Sequence, residues 1–141
     1  MSYEIHTSVQ IQATPQQVWA VLTDFAAYPE WNPLIQSIQG TVALGSRFDA
    51  VIAKTKFRPK VLAFEPARKF EWLGHLLIPG VLFDGHHRFH LEENPDGTTT
   101  LHHGESFRGL LVPILKGMLE KDTLPGFEAM NQALKARVEV S

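Results

Sequence analysis

GHHRFHLEENPDGTTTLHHGESF, residues 85–107, is the stretch of this chain that indicates its fold most clearly. The residues Asn94-Pro95-Asp96-Gly97 within it favour a turn, because Pro presets its own φ angle, Asp bonds to nearby backbone and Gly tolerates a positive φ. The residues on either side are typical of strands. The stretch therefore predicts an antiparallel hairpin.

Side-chain parity in this hairpin predicts a polar group on a buried face. Pairing the strands about the turn sets Leu91 opposite Thr99, Phe89 opposite Leu101, and His87 opposite His103. Since side chains alternate between the two faces of a strand, Glu105 shares the face of His87 and His103. Phe89, Leu101 and Phe107 mark that face as the inner one. Three ionisable groups on an inner face indicate a lined cavity rather than a dry core.

Two further hairpins extend the same face. A turn at Glu65–Arg68 pairs strand 57–64 with strand 69–73, and a Pro-Gly turn at Ile78–Val81 follows. The first pairing sets Ala63 against Phe70 and Val61 against Trp72, and the second sets Trp72 against His87. The three hairpins together predict one row across the sheet, formed by Val61, Trp72, His87 and His103.

Helical patterns lie at both ends of the chain. Tyr3–Ile11 alternates as a half-buried strand, and Thr14 then predicts a helix N-cap with Pro15 in the first helical position. A short helical turn is expected in the Pro-interrupted segment 28–33. After Gly109 the apolar residues recur every three or four positions, which predicts a long C-terminal helix with a kink or break at Leu124–Gly126. The order indicates one α+β domain over residues 1–141.

Composition bounds the class of protein. The chain has 141 residues, a formal net charge of −2 and no cysteine. Because it has no basic cluster, we expect no nucleic-acid partner. It shows neither a signal peptide nor an apolar run long enough for a membrane span, so we expect a cytoplasmic protein that is not integral to a membrane. No cofactor is expected, and the oligomeric state is left open.

Several motifs resemble a known superfamily. They are Val18-Trp19, Tyr28-Pro29-Glu30-Trp31-Asn32-Pro33, Phe70-Glu71-Trp72 and Glu105-Ser106-Phe107-Arg108-Gly109. The chain resembles the helix-grip or START-like (SRPBCC) superfamily, and within it the polyketide cyclase/dehydrase-like proteins. The resemblance implies a curved seven-stranded antiparallel sheet around a long C-terminal helix, with two short helices after the first strand. It also implies a mostly apolar cavity between sheet and helix.

The group formed by His87, His103 and Glu105 allows several interpretations. It is a polar anchor for the hydroxyl, carbonyl or carboxylate of a ligand, or a pair for general acid–base catalysis, or an interior network whose members satisfy one another. Two histidines and a glutamate are also legitimate metal ligands. Their spacing matches no recognised metal signature, so no metal is expected.

The sequence as a whole predicts a protein that binds or transports a small hydrophobic molecule, lipid-like or polyketide-like, between sheet and helix. The alternatives are a cyclase or dehydratase that uses His87, His103 and Glu105 for proton transfer, and a co-chaperone-like interaction domain that uses the apolar segment 75–83. That segment is otherwise a gate or part of the core. The predicted ligand contacts are Val61, Phe70, Trp72, His87, Phe89, Leu101, His103, Glu105, Met118 and Phe127.

Overall fold

The computed structural model describes residues 2–76 and 83–140. Its strands are β1 (Ser2–Ile11), β2 (Ile35–Gln39), β3 (Asp49–Ile52), β4 (Thr55–Phe57), β5 (Lys60–Glu65), β6 (Lys69–Leu76), β7 (Phe83–Glu93) and β8 (Thr99–Arg108). Its helices are α1 (Pro15–Leu22), α2 (Tyr28–Trp31), α3 (Val112–Met118) and α4 (Leu124–Glu139), with a 3-10 turn at Phe25–Ala27 and a π-helical turn at Leu119–Thr123. Within the described residues, no helix is both long and apolar enough to span a membrane.

The strands form two antiparallel sheets. Five pair in the order β1-β8-β7-β6-β5, and three pair in the order β2-β3-β4, with an isolated bridge between Arg47 and Lys60. The α+β class and the helix-grip architecture are confirmed. The strand predicted over 57–64 is divided at Arg58-Pro59, because proline has no N–H to give to a ladder. The described residues contain eight strands in two sheets, close to the seven that the resemblance implied.

The β7–β8 register differs from the predicted one by two residues. His87 pairs with Glu105, Phe89 with His103, and Leu91 with Leu101. The hairpin is centred on Asp96 instead of Pro95, because Asp96 Oδ1 accepts from the Thr98 N–H (3.1 Å) and Gly97 adopts φ +87°. Moving the centre by one residue shifts the pairing by two. The inward face is therefore preserved, although the opposed pairs are not the predicted ones.

The β5–β6 register is right at one end and wrong at the other. Val61 pairs with Trp72 and Trp72 with His87, as predicted, although residues 77–82, which include the predicted Pro-Gly turn, lie outside the described part of the chain. A bulge between Val61 and Ala63 sets Ala63 opposite Glu71 instead of Phe70. The row across the sheet is therefore Val61, Trp72, His87 and Glu105.

Two short helices follow β1, as expected. Thr14 caps α1: its Oγ1 accepts from the Gln17 N–H (3.2 Å), while Gln17 Oε1 accepts from the Thr14 N–H (2.9 Å). After α2, Asn32 Oδ1 accepts from the N–H groups of Leu34 (3.0 Å) and Ile35 (2.8 Å), which directs the chain into β2. These contacts fix where α1 begins and how the chain passes from α2 into β2.

The C-terminal helix is interrupted just before the predicted position. The Leu124 N–H bonds to the carbonyl of Leu119, five residues back, and Pro125 then lies in the first turn of α4, where its missing N–H is not needed. The buried face of α4 packs on β1, β8 and α1 and carries Phe127, Met130, Asn131, Leu134 and Val138. Asn131 is the polar member of this stripe.

Candidate functional site

A cavity of about 360 Å³ lies between the sheet and the C-terminal helical segment. Trp72, His87, Glu105 and Phe107 line it from β6, β7 and β8. Met118, Leu119 and Phe127 line it from the helical side, and Ile52 and Phe57 from the three-stranded sheet. The wall is mainly apolar, and its volume is within the range of pockets that bind small molecules.

Five of the ten predicted contact residues line this cavity. They are Trp72, His87, Glu105, Met118 and Phe127. The other five do not line it, although all five are buried as predicted: Val61, Phe70, Phe89, Leu101 and His103.

The non-lining residues point inward where the interior is filled by aromatic side chains. The ring of Phe70 lies 5.8 Å from that of Phe25, 5.3 Å from Phe64 and 6.1 Å from Phe89, centroid to centroid. The alternation of side chains along the strands therefore identified the inward face. It did not show which part of that face lines the cavity.

Some wall residues were not selected from the sequence. Gly85 continues the inward parity of His87 by one further position, so the strand pattern could have found it. Phe107 was predicted on the inward face but was not chosen as a contact, and it lines the cavity. Leu119 and Asp122 lie on the π-helical turn and also line the wall. The helical period of the sequence does not encode this turn.

A hydrogen-bonded chain leads from the cavity wall into the core. Glu105 Oε1 lies 3.0 Å from His87 Nδ1, and His87 Nε2 lies 2.8 Å from His103 Nε2. His103 Nδ1 lies 2.7 Å from Asn131 Oδ1, and Asn131 Nδ2 donates to Thr7 Oγ1 at 2.8 Å. The Thr7 hydroxyl in turn donates to the His103 carbonyl at 2.7 Å. The chain joins β7, β8, α4 and β1.

Burial favours the uncharged form of each ionisable member. Burial, with smaller contributions from the neighbouring Arg88 and His86, lowers the pKa of His87 to about 3. Burial likewise holds the pKa of His103 well below its usual value. Burial raises the pKa of Glu105 to about 8, against the opposing effect of Arg88 and His86. The group is therefore an uncharged network at neutral pH.

Gly85 makes room for the Glu105 carboxyl group. A Cβ atom added to Gly85 would lie 2.0 Å from Glu105 Oε2 and 3.0 Å from its Cδ, which is closer than atoms can approach. Both residues line the cavity. A glycine at this position therefore lets the carboxyl lie flat against β7 beside the hollow.

The remaining polar wall residues are Thr55, His75, Asp122 and Thr123. His75 Nδ1 lies 2.8 Å from Asp84 Oδ1, and Asp122 is exposed on the helical side. The described wall contains no lysine or arginine. Over residues 2–76 and 83–140, no three His, Asp or Glu side chains are arranged to hold a metal ion.

The predicted partner-binding segment 75–83 is largely outside the described chain. His75 and Phe83 both line the cavity. Residues 77–82 between them are not described, so the proposed gate, partner patch or core role of the segment stays a prediction.

The sequence matches one family and no curated protein. A sequence model of the family "Polyketide cyclase / dehydrase and lipid transport" matches residues 2–139. No match was found among curated proteins.

Solved structures resemble this chain over nearly its whole length. A hypothetical protein from Helicobacter pylori has a TM-score of 0.82 at 16% identity, covering 96% of this chain and 88% of that one. The Zhui aromatase/cyclase from Streptomyces sp. R1128 has a TM-score of 0.76 at 16% identity, covering 99% and 94%. A START superfamily protein from Mycobacterium smegmatis has a TM-score of 0.72 at 22% identity, covering 97% of each. At these identities the likeness concerns the fold.

Proposed function

The chain belongs to the polyketide cyclase/dehydrase and lipid transport family, and on this premise we propose that it binds a small, largely apolar molecule in the cavity between sheet and C-terminal helix. The family supports ligand binding or cyclase-type function in general. We propose more specifically that the cavity holds one molecule, which apolar contacts bind and one uncharged carboxyl group orients.

The observation that carries the proposal is a mainly apolar hollow with a largely buried carboxyl group, that of Glu105, at its wall. Its volume of about 360 Å³ is that of about a dozen liquid waters, which suits a compound of one to three rings. Releasing water from apolar surface stabilises such a complex by about 25 cal/mol per Å² of surface buried. The proposed contacts are Trp72, His87, Glu105, Met118 and Phe127, joined by Phe107.

The proposal is tested by filling the cavity from its exposed side. Met118 lines the hollow and is 43% exposed, so a Met118→Trp side chain has room to fold inward without disturbing the core. Ile114 lies one turn earlier on α3, is 76% exposed and does not line the cavity, so Ile114→Trp is the matched control. We expect Met118→Trp to weaken binding of any retained ligand by about tenfold or more, and Ile114→Trp to leave it unchanged.

The measurement is a dissociation constant for compounds recovered from the purified protein by native mass spectrometry or found in a thermal-shift screen. Equal affinity of the two tryptophan variants would place the ligand elsewhere. A broad screen without any hit, on protein that carries no retained compound, would contradict the proposal.

A cyclase-type enzyme is the second candidate, and the state of Glu105 favours it. A carboxyl group whose pKa is about 8 is protonated at neutral pH and is therefore suited to act as a general acid. Its position at the wall of the cavity would bring it next to a bound molecule. Incubation of each bound compound with the protein, followed by mass spectrometry of the products, separates turnover from binding.

A further inference from the structure

The donor and acceptor roles along the buried hydrogen-bonded chain are fixed at the end that lies in the core, at Thr7. The His103 carbonyl can only accept, so the single hydrogen of the Thr7 hydroxyl is used in that bond. Thr7 Oγ1 must then accept from Asn131, which places the Nδ2 amide group towards Thr7. The Asn131 Oδ1 atom consequently faces His103 Nδ1, and this ring nitrogen carries a hydrogen.

The hydrogen positions on both imidazole rings follow from this inner end. His103 is 0% exposed and contacts no carboxylate, so it is neutral, and its Nε2 is an acceptor. The His87 Nε2 atom, 2.8 Å away, must therefore donate. His87 is 1% exposed, and its ring lies 4.4 Å from the ring of Trp72 and 4.9 Å from that of Phe127, an apolar setting that favours the neutral form. In that form Nδ1 is an acceptor, so Glu105 Oε1 carries the hydrogen of their 3.0 Å contact.

In the protonated carboxyl group of Glu105, one oxygen carries the hydrogen and the other can only accept a hydrogen bond. Since Oε1 carries the hydrogen, Oε2 is the carbonyl oxygen of the acid. It lies beside Gly85, and both Gly85 and Glu105 line the cavity. A ligand group that meets Oε2 must therefore donate a hydrogen bond.

The charged residues of the cavity wall disfavour ligands that carry a carboxylate. The described wall has no lysine or arginine, and Asp122 adds an exposed acid to it. Its two histidines, His75 and His87, each contact a carboxyl group, that of Asp84 and that of Glu105. A carboxylate held here would lose its hydration and gain no lysine or arginine from the described wall in exchange. Fatty acids and other carboxylates are therefore poor occupants.

We infer that the cavity selects an uncharged molecule that bears a hydroxyl group, which donates to Glu105 Oε2, and that it rejects carboxylates of the same shape. This rests on the proposed function, because it names the class of ligand for the same cavity. The Thr7–Asn131–His103–His87 chain is the positioning element, since it holds the hydrogen of Glu105 on Oε1.

Three probes of one skeleton test this inference: 2-naphthol, 2-methoxynaphthalene and 2-naphthoic acid at pH 6.5. At this pH the phenol is neutral and the carboxylic acid is ionised. By calorimetry we expect the naphthol to bind about tenfold more tightly than its methyl ether, which cannot donate, and the naphthoate to bind most weakly. Binding of the ether or the naphthoate as tightly as the naphthol would overturn the inference and leave the proposed function standing.

Two variants at Glu105 sharpen the test. In Glu105→Gln the amide N–H₂ donates to His87 Nδ1 and the amide oxygen replaces Oε2, so the naphthol should keep its advantage to within about threefold. In Glu105→Leu the acceptor is gone, and the advantage should disappear. Loss of the advantage in Glu105→Gln, with the thermal transition unchanged, would show that Glu105 acts as an ionised carboxylate and overturn the inference.

The outcomes separate the two proposals. If none of the three probes binds up to its solubility limit, and Met118→Trp changes nothing, the cavity does not bind molecules of this kind and both proposals fail. If all three bind with equal affinity, the binding function stands and the selection for a hydroxyl donor fails.

Discussion

Gly85 shows how a single missing side chain positions the polar group of the cavity. The Glu105 carboxyl occupies the space that a Cβ at Gly85 would need, 2.0 Å from Oε2. The glycine thus leaves room for the carboxyl at the wall of the hollow, within hydrogen-bond distance of His87 Nδ1. Without that space the carboxyl would have to turn away from His87 Nδ1.

A Gly85→Ala variant should lose both the position of the carboxyl and its hydrogen bond. We expect the free energy of unfolding to fall by about 1–3 kcal/mol, because the new methyl group overlaps the carboxyl and leaves His87 Nδ1 unsatisfied. Gly74, directly opposite on β6, is the control, since its added Cβ would meet only Pro59 Cβ at 4.0 Å. Urea unfolding measures both, and equal stability of the two alanine variants would contradict this account of Gly85.

At the scale of elements, Asn131 fixes how α4 docks on the sheet. It is 3% exposed within an otherwise apolar stripe, and it bonds to His103 on β8 and to Thr7 on β1. Apolar packing alone tolerates small rotations of a helix, whereas two buried hydrogen bonds allow one arrangement. The hydrogen bonds of Asn131 therefore set the rotation of α4 about its own axis.

Replacing Asn131 by Leu should be costly although it adds apolar surface. The change removes the partner of His103 Nδ1, and an unsatisfied buried polar group costs about 1–3 kcal/mol. The adjacent Gln132 is exposed, so Gln132→Leu should change the free energy of unfolding by less than about 0.5 kcal/mol. Chemical denaturation of the two variants checks this, and a stable Asn131→Leu protein would remove the assigned role.

The elements also show how far the sequence alone could lead. The inward parity of His87, His103 and Glu105 was predictable because side chains alternate strictly along a strand. The register was not, because Asp96 rather than Pro95 centres the turn through a side-chain bond to Thr98. A shift by two residues keeps the parity, so the residues of the inward face were predicted correctly although the register was wrong.

The helical side of the site was less predictable. The Pro125 signal indicated an interruption, but not that it would be a π-helical turn that brings Leu119 and Asp122 to the wall. Asn131 was missed because an isolated amide on a helix is usually solvated, and only the fold shows that it meets Thr7 and His103.

On the scale of the whole molecule, the two ends of the interior differ. Around Phe70 aromatic rings fill the space between sheet and helices, whereas around Glu105 a hollow remains. The fold and family resemblance implied a cavity but not its extent. Five of the predicted contact residues line the hollow, and the other five are buried away from it.

The protonation of Glu105 should appear in the stability of the whole protein. Its pKa is about 8 in the folded state and about 4.3 in an unfolded chain. The folded protein therefore retains a proton that the unfolded chain has released between these values, so this stabilising contribution declines as pH rises towards 8. The lowered pKa values of His87 and His103 have the opposite effect, since they make the folded protein more stable as pH rises. This gain in stability is complete above about pH 6.5.

The measurement that tests the account most directly is the free energy of unfolding between pH 6.5 and 8, compared in the wild type and Glu105→Gln. We expect the wild type to lose up to about 2 kcal/mol over this range. The glutamine variant, which keeps the hydrogen-bonding pattern and cannot ionise, should lose markedly less. Parallel pH profiles for the two proteins would mean that Glu105 is already ionised at pH 6.5, and that the cavity does not have the uncharged acid at its wall.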